Sequence, residues 1–335
     1  AASAALAGLP EAARNAALHE AATAIRARAA IIEQANARDL AAFDAADGSD
    51  QGQRGAFRDR LALNPARIAA MAQGLDDIAT LPDPLARTLA DWTRPNGLRI
   101  QRIPQPLGVI GMIYESRPNV GADAAGLCLK AGNAVILRGG SDSFHSARAI
   151  HDAVTEGLRT AGVPAAAVQI PPASDRAYVA AMLGAAGQID LIIPRGGRSL
   201  VERVQAEARV PVLAHAEGLC HTYIHAAADP AMARAILANA KMRRTGVCGA
   251  TETLLIDAAI APALLPELVA DLRALGCDFR ADARARAIVA ELPAASEADF
   301  DTEWLDAVLS VAVVDGVADA IGHILRHGSE HTEAI

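Results

Sequence analysis

Short apolar runs with strand character alternate with helical segments along most of this chain. The predicted strands are 107–113, 133–137, 167–170, 189–193, 210–213, 218–224, 253–256 and 308–314. The predicted helices among them are 147–161, 178–184, 231–240, 262–275 and 317–326. Strict alternation of strand and helix implies βαβ crossovers, so the sequence predicts an α/β protein with a doubly wound parallel sheet. Residues 1 to 91 precede this pattern and have helical periodicity throughout.

Length and composition restrict the class of protein. The 335 residues are enough for two domains, and 52% hydrophobic with 21% charged residues is typical of a globular chain. An aromatic content of 3% and a net charge of -8 argue against a nucleic-acid binder. The four cysteines form no C-x-x-C pair, which favours a reducing cytoplasm over a disulfide framework. The most apolar stretch, 254–270, is interrupted by charged residues and prolines, so no membrane span is predicted.

Cys248 is the candidate nucleophile. It lies between Gly246-Val247 and Gly249-Ala250, where small neighbours leave room for a substrate to approach the sulfur. Arg243 and Arg244 are close in sequence, and cationic neighbours favour the thiolate form of a cysteine. The alternative interpretation is a buried structural cysteine, which is what most free cysteines are.

Two basic Gly-Gly loops follow predicted strands, where open α/β sheets bind their ligands. The first is Arg138-Gly139-Gly140-Ser141 and the second is Arg195-Gly196-Gly197. Glycines let a backbone approach a ligand closely, and the helix that follows each loop favours an anionic group. Ordinary turn chemistry is the alternative. Neither loop matches the G-x-G-x-x-G or the P-loop pattern.

Three further polar residues are candidates for catalysis or binding. Asn119 follows a predicted strand and could donate its amide to an oxyanion, or belong to an ordinary proline-asparagine turn. Glu217 is a candidate general base. Glu303 precedes a strand, where it could accept a hydrogen bond from a ribose hydroxyl or simply be a surface carboxylate.

A cluster of potential metal ligands lies just before the predicted catalytic domain. Its members are His215, Glu217, Cys220, His221 and His225. Because residues 218–224 read as a strand, alternate side chains point to opposite faces. The sequence therefore predicts no metal site here.

Several of these segments together resemble the gamma-glutamyl phosphate reductase family, a branch of the aldehyde dehydrogenase superfamily. The matching segments are 106–120, 128–140, 189–197, 217–221, 239–241 with 246–248, and 327–331. They occur in the family's order from about residue 100 to the end. The combination of Tyr114-Glu-Ser-Arg-Pro-Asn119 with Ile193-Pro-Arg-Gly-Gly197 is specific to this branch.

The resemblance implies an aldehyde dehydrogenase-like fold: a Rossmann-like cofactor domain, an α/β catalytic domain and a small oligomerisation arm. We expect residues 1–227 to hold the N-terminal helices and the NADPH-binding domain, with an oligomerisation hairpin at about 92–106. Residues 228–335 would be the catalytic domain. The family continues beyond the point where this sequence stops, so we expect the catalytic domain to be C-terminally incomplete and the arm at least partly missing.

The resemblance also implies an activity: NADPH-dependent reduction of L-glutamyl 5-phosphate to L-glutamate 5-semialdehyde and phosphate, the second step of proline biosynthesis. Cys248 would form a thioester, and its backbone N–H and Asn119 would bind the oxyanion. The other implied cofactor residues are Arg138, Gly139, Gly140, Ser141, Arg195, Gly196, Gly197 and Glu303. Ser141 stands where NAD-preferring relatives often carry glutamate, which favours NADPH. Substrate contacts are expected from Arg117, Glu217, Lys241, Arg243 and Arg244.

Three alternatives and two partner hypotheses accompany this reading. The chain could be a CoA-acylating or hydrolytic aldehyde dehydrogenase, a cysteine acyltransferase or hydrolase without nicotinamide, or an inactive scaffold. The resemblance implies a homo-oligomer, whereas the composition and the interrupted apolar stretches predict no nucleic-acid or membrane partner. The instability of acyl phosphates motivates an association with glutamate kinase.

Overall fold

The computed structural model describes residues 1–46, 57–115, 117–214 and 217–335. The chain divides into two compact units, Ala1–His215 and Ala216–Ile335. None of the helices in these described ranges combines the length and the apolar character that a membrane span requires.

The first unit is built on a four-stranded parallel sheet. Its strands are β3 (Val109–Tyr114), β4 (Ala134–Arg138), β5 (Val168–Gln169) and β6 (Leu191–Arg195), in the order β5-β4-β3-β6. Its α-helices are Ala2–Ala7, Glu11–Ala27, Ala29–Ala45, Pro65–Thr80, Val120–Lys130, Phe144–Thr160, Ala177–Leu183 and Arg198–Glu207. One layer of helices packs its apolar side chains against one face of the sheet, on β3 and β4. The apolar cluster on the other face of the sheet is smaller. Helices on both faces explain why these strands are apolar runs without alternation.

A two-stranded antiparallel hairpin lies outside this sheet. It pairs β1 (Ala90–Thr93) with β2 (Arg99–Arg102), in the region where the sequence predicts an oligomerisation hairpin. Almost all of its residues are exposed, including Trp92. Asp91 accepts hydrogen bonds from Arg99 across the strands, which lowers the pKa of this carboxyl.

The second unit contains a five-stranded parallel sheet in the order β11-β7-β8-β10-β9. The strands are β7 (Cys220–Ile224), β8 (Thr251–Asp257), β9 (Asp278–Ala281), β10 (Val308–Val314) and β11 (Glu333–Ala334). The helices are Pro230–Met242, Ala261–Ala274, Ala283–Ile288, Glu297–Phe300 and Val317–His327. β8 is buried over its whole length, with separate apolar clusters on the two faces of the sheet.

Most predicted elements are confirmed, and strand 308–314 agrees residue for residue. The predicted strand 210–213 is wrong: it forms only an isolated bridge between Val212 and Ile192, since Pro211 cannot donate to a ladder. β9 was missed because Asp278 and Arg280 interrupt its apolar pattern. β7 pairs with β8 and belongs to the second compact unit, whereas the expected domain division at residue 227 falls after this strand.

Candidate active site

Cys248 lies on an exposed turn in the second unit. The preceding helix begins at Pro230, where the Asp229 side chain accepts a hydrogen bond from the Met232 N–H, and it ends at Met242. Residues 243–250 form the turn, and β8 begins at Thr251. A short turn between a helix and a buried strand therefore presents the sulfur at the surface of this unit.

The other three cysteines lie in different surroundings. Cys220 and Cys277 are buried and Cys128 is partly buried. Burial raises the pKa of the Cys128 thiol to about 12, and that of Cys220 and of Cys277 to about 11. A thiol with such a pKa is almost entirely protonated at neutral pH and is a poor nucleophile. Cys248 is therefore the cysteine best placed to react.

Two residues that are close in the sequence, Gly218 and Cys220, hold the backbone of Cys248. The Cys220 thiol donates to the carbonyl oxygen of Cys248 at 3.1 Å, and lies 3.6 Å from His331 Nδ1. Gly218 packs so closely that a Cβ built there would lie 2.0 Å from the same carbonyl oxygen. Only glycine leaves room for this contact, so Gly218 and Cys220 together fix the position of the Cys248 carbonyl.

Glu303 belongs to the same group of residues. One of its carboxylate oxygens accepts a hydrogen bond from the Gly218 N–H at 2.9 Å. The following residue, Trp304, donates its indole N–H to the Ser310 hydroxyl at 3.1 Å. The structure thus brings Glu303 into contact with Gly218, one of the residues that hold the Cys248 carbonyl, although Glu303 and Cys248 are 55 positions apart in the sequence.

The cationic substrate candidates in this unit differ in their surroundings. Arg243 and Arg244 are exposed just after the helix that precedes Cys248. Lys241 instead has no exposed surface, and its ammonium is 2.7 Å from the Glu252 carboxylate. In this structure Lys241 therefore faces an internal partner. Glu217, the candidate base, is partly buried.

Residues at the carboxyl ends of β3 and β6 come together in the first unit. The Glu115 carboxylate accepts a hydrogen bond from the Gly197 N–H at 2.5 Å, at the beginning of helix Arg198–Glu207. A Cβ on Gly196 would lie 2.6 Å from the same glutamate side chain. The glycines at 196 and 197 therefore admit an internal carboxylate, a role the sequence did not indicate. Arg195 is exposed beside them.

Asn119 immediately precedes helix Val120–Lys130 at this edge. Its amide donates to the Asp123 carboxylate at 3.1 Å. Burial raises the pKa of Asp123, while the Asn119 hydrogen bond and the positive charge of Arg195 oppose that rise. Arg117 is partly buried in the loop between β3 and this helix, next to Ser116, which lies outside the described residues. One Asn119 amide hydrogen is thus engaged, and an amide carries two.

The first Gly-Gly loop lies at the carboxyl end of β4. Gly139 packs under the Tyr114 ring, with a built Cβ 3.0 Å from it. Arg138 donates to the Gly139 carbonyl and, at 2.8 Å, to the Ser174 carbonyl. Arg138, Gly139, Gly140 and Ser174 line one depression. Ser141 begins a short 3-10 turn beside it and is exposed.

Arg176 is a charged neighbour of this depression that the sequence did not single out. Burial, and next the positive charge of Arg176, lower the pKa of Arg138. Tyr114 and the Asp175 carboxylate oppose this lowering, and an anionic ligand would further reduce the repulsion between the two arginines. The proximity of Arg176 to Arg138 is hard to predict from the sequence, because Arg176 lies in a loop 38 positions after Arg138.

The group of potential metal ligands resolves into separate contacts. His221 approaches Glu333 with Nδ1 at 3.0 Å, whereas the neighbouring Cys220 points to Cys248. His225 Nδ1 accepts a hydrogen bond from the Ala227 N–H. His215 lies outside the described residues, and the described ones contain no group of three or more ligands suited to a metal ion.

Comparison with known proteins identifies the family. The aldehyde dehydrogenase family model matches residues 1–291. The gamma-glutamyl phosphate reductase of Acidiphilium cryptum is 71% identical over 330 residues, 98% of this chain and 77% of that protein. The corresponding Gluconobacter oxydans protein is 71% identical over 322 residues, 96% of this chain and 74% of that protein.

Solved structures agree. The crystal structure of gamma-glutamyl phosphate reductase from Thermotoga maritima matches with a TM-score of 0.93 and 37% identity, over 99% of this chain and 79% of that one. A propionaldehyde dehydrogenase from Clostridium phytofermentans matches with a TM-score of 0.64 at 14% identity, which is a likeness of fold alone. The chain therefore belongs to the aldehyde dehydrogenase family and, within it, to the gamma-glutamyl phosphate reductases.

Proposed function

We propose that this protein reduces L-glutamyl 5-phosphate to L-glutamate 5-semialdehyde with NADPH and releases phosphate, the second step of proline biosynthesis. The observation that carries the proposal is the exposed Cys248, fixed by Gly218 and Cys220, in a chain 71% identical to named gamma-glutamyl phosphate reductases. An acyl phosphate is a strong electrophile, and a thiolate is the nucleophile suited to it.

The first chemical step belongs to Cys248. Its sulfur attacks the acyl carbon, the bond from that carbon to the phosphate oxygen breaks, and a thioester with released phosphate results. The Cys248 backbone N–H and the Asn119 amide are the proposed donors to the oxyanion. No water has to be activated, so Glu217 is not needed as a hydrolytic base and is instead proposed, with Arg117 and Arg243, to contact substrate.

The residues of the first unit suit a dinucleotide with a 2′-phosphate. Arg138, Gly139 and Gly140 line a depression at the carboxyl end of a parallel sheet, and Ser141 follows them in sequence. The positive charge of Arg176 acts on Arg138 there. Ser141 places no carboxylate there to repel the phosphate. Reduction of the thioester takes its hydride from NADPH when the cofactor is bound. Cys248 then recovers its thiolate as the aldehyde leaves.

Further proposed cofactor contacts lie beyond this depression. We assign Arg195, Gly196 and Gly197 to the pyrophosphate side and Glu303 to the nicotinamide ribose. The exposed Arg195 and the hydrogen-bonding carboxylate of Glu303 support these roles. Glu115 already accepts from the Gly197 N–H, so a bound phosphate would have to displace this carboxylate or bind beside it.

Assembly and location complete the proposal. The exposed hairpin of β1 and β2 supports a homo-oligomer formed through this arm. The free cysteines support a cytoplasmic location, since free thiols suit a reducing compartment. The instability of the acyl phosphate supports its delivery by glutamate kinase. A coupled assay tests delivery: free and kinase-generated glutamyl phosphate should give different rates, and equal rates would contradict it.

The reverse reaction tests the activity. Glutamate 5-semialdehyde and NADP⁺ should give continuous NADPH formation, followed by absorbance, only when inorganic phosphate is present, and Cys248→Ala should abolish the signal. Activity with CoA in place of phosphate would instead indicate a CoA-acylating enzyme. A folded protein that does not bind NADPH would refute the dehydrogenase assignment.

A further inference from the structure

We propose that Lys241 and Glu252 are positioning residues for Glu303, and that their buried ion pair holds the loop that carries this carboxylate. The two side chains lie on either side of the Cys248 turn, one near the end of its preceding helix and the other at the start of β8. Their charged atoms are 2.7 Å apart, and the side chains are 0% and 1% exposed. Such burial excludes a surface role for either charge in this structure.

An irregularity in the sheet directs Glu252 to this position. In the pairing of β7 with β8, Cys220 is opposite Thr251 and His221 is opposite Thr253. Glu252 is therefore the extra residue of a β-bulge, without a partner in β7. Bulges redirect side chains and are frequent beside active sites. Here the bulge separates the Cys220 contact with Cys248 from the regular part of the strand.

Glu252 is connected to Glu303 through the backbone of Leu305. Its second carboxylate oxygen accepts a hydrogen bond from the Leu305 N–H at 3.3 Å. Leu305 has a φ of 50°, a left-handed conformation that leucine adopts only when surrounding contacts hold it. Two residues earlier, the Glu303 carboxylate binds the Gly218 N–H. The loop is thus held at Leu305 by Glu252, and at Glu303 by Gly218.

The lysine favours the charged form of this carboxyl. Burial raises the pKa of Glu252 to about 7, and without the opposing effect of the Lys241 ammonium the rise would be larger. An ionised carboxylate is a stronger acceptor for the Leu305 N–H than a protonated one. An unpaired buried charge would be costly, which explains why a lysine, unusual in a wholly buried position, is found opposite this glutamate.

Two double variants separate positioning from mere structural support. K241M/E252Q and K241M/E252L both remove the two charges, but only glutamine retains an oxygen to accept from the Leu305 N–H. We expect similar melting temperatures. We expect about tenfold weaker NADPH binding in the leucine variant, together with faster hydrogen exchange at the Leu305 amide. Equal affinity and equal exchange in the two variants would overturn the inference.

A conservative single variant tests the inference if the double variants do not fold. Glu252→Asp keeps the charge opposite Lys241 but shortens the side chain, so it should weaken NADPH binding and Leu305 protection while the protein stays folded. Wild-type affinity and protection in this variant would contradict the proposal. The NADPH readout rests on the proposed function, whereas hydrogen exchange does not. If the wild type fails to bind NADPH, the function fails and exchange still decides the inference.

Discussion

Gly218→Ala should move the Cys248 backbone. The added Cβ would lie 2.0 Å from the Cys248 carbonyl oxygen and 2.8 Å from its carbonyl carbon. Ordinary contact requires about 3.4 Å, so the turn must shift by more than about 1 Å. That shift would also lengthen the hydrogen bond from the Cys220 thiol. A displacement of about 1 Å at a reacting group can cost roughly 100-fold in rate, while overpacking costs about 1–3 kcal/mol of stability.

The matched control is Gly249→Ala. Gly249 is adjacent to Cys248, yet a Cβ there meets nothing within 4 Å. We expect this variant to react like the wild type, with Gly218→Ala about 100-fold slower in phosphate-dependent NADPH formation. Iodoacetamide labelling of Cys248, followed by mass spectrometry, would report the thiol directly. Equal rates in the two variants would refute the role given to Gly218.

Three further predictions concern the cofactor, pH and packing. Ser141→Glu should lower affinity for NADPH more than for NADH, because a carboxylate repels the 2′-phosphate; equal losses by fluorescence titration would contradict this. Burial, and next His327, lower the pKa of His323 to about 4, so only the unfolded chain binds this proton between about pH 6.5 and 4. Stability should therefore fall as pH drops through this window, and less steeply in His323→Leu; parallel urea-unfolding curves would refute it. Gly157→Ala should destabilise by about 1–3 kcal/mol, because its Cβ would lie 2.3 Å from the Ala21 nitrogen, whereas Gly322→Ala meets no atom and should not.

The fold could be predicted because parallel strands are apolar on both faces. Helix-flanked runs such as 109–114 and 308–314 have this property and were identified. β9 lacks it, since Asp278 and Arg280 alternate with buried residues on an edge of the sheet. The strand predicted at 210–213 does not form, for the opposite reason. The segment is apolar, but Pro211 has no N–H to donate to a strand ladder.

The site was predictable only where its signal is local. The small residues around Cys248 indicated an open turn, which the structure contains. The functions of Gly218 and Glu252 depend on contacts with Cys248 and Leu305 that no spacing reveals. The Gly-Gly pairs were ambiguous as well. The sequence does not show whether a ligand or a side chain of the protein itself occupies the space beside the glycines.

The interpretation of Lys241 shows the same limit. A cation seven positions before the nucleophile suggested a substrate contact, because it is charged and near the proposed site. Its true partner, Glu252, is set by the bulge in β8. A change of one position in strand register is enough to redirect a side chain, and it leaves no trace in composition or periodicity.

Trapping the acyl-enzyme tests the central claim most directly. Glutamate 5-semialdehyde and NADP⁺, mixed with the enzyme in the absence of phosphate, should give one burst of NADPH per active site. Mass spectrometry should then find a glutamyl adduct on the peptide that contains Cys248, and added phosphate should remove it. A burst without an adduct, or an adduct on Cys220 with Cys248 unmodified, would contradict a Cys248 thioester.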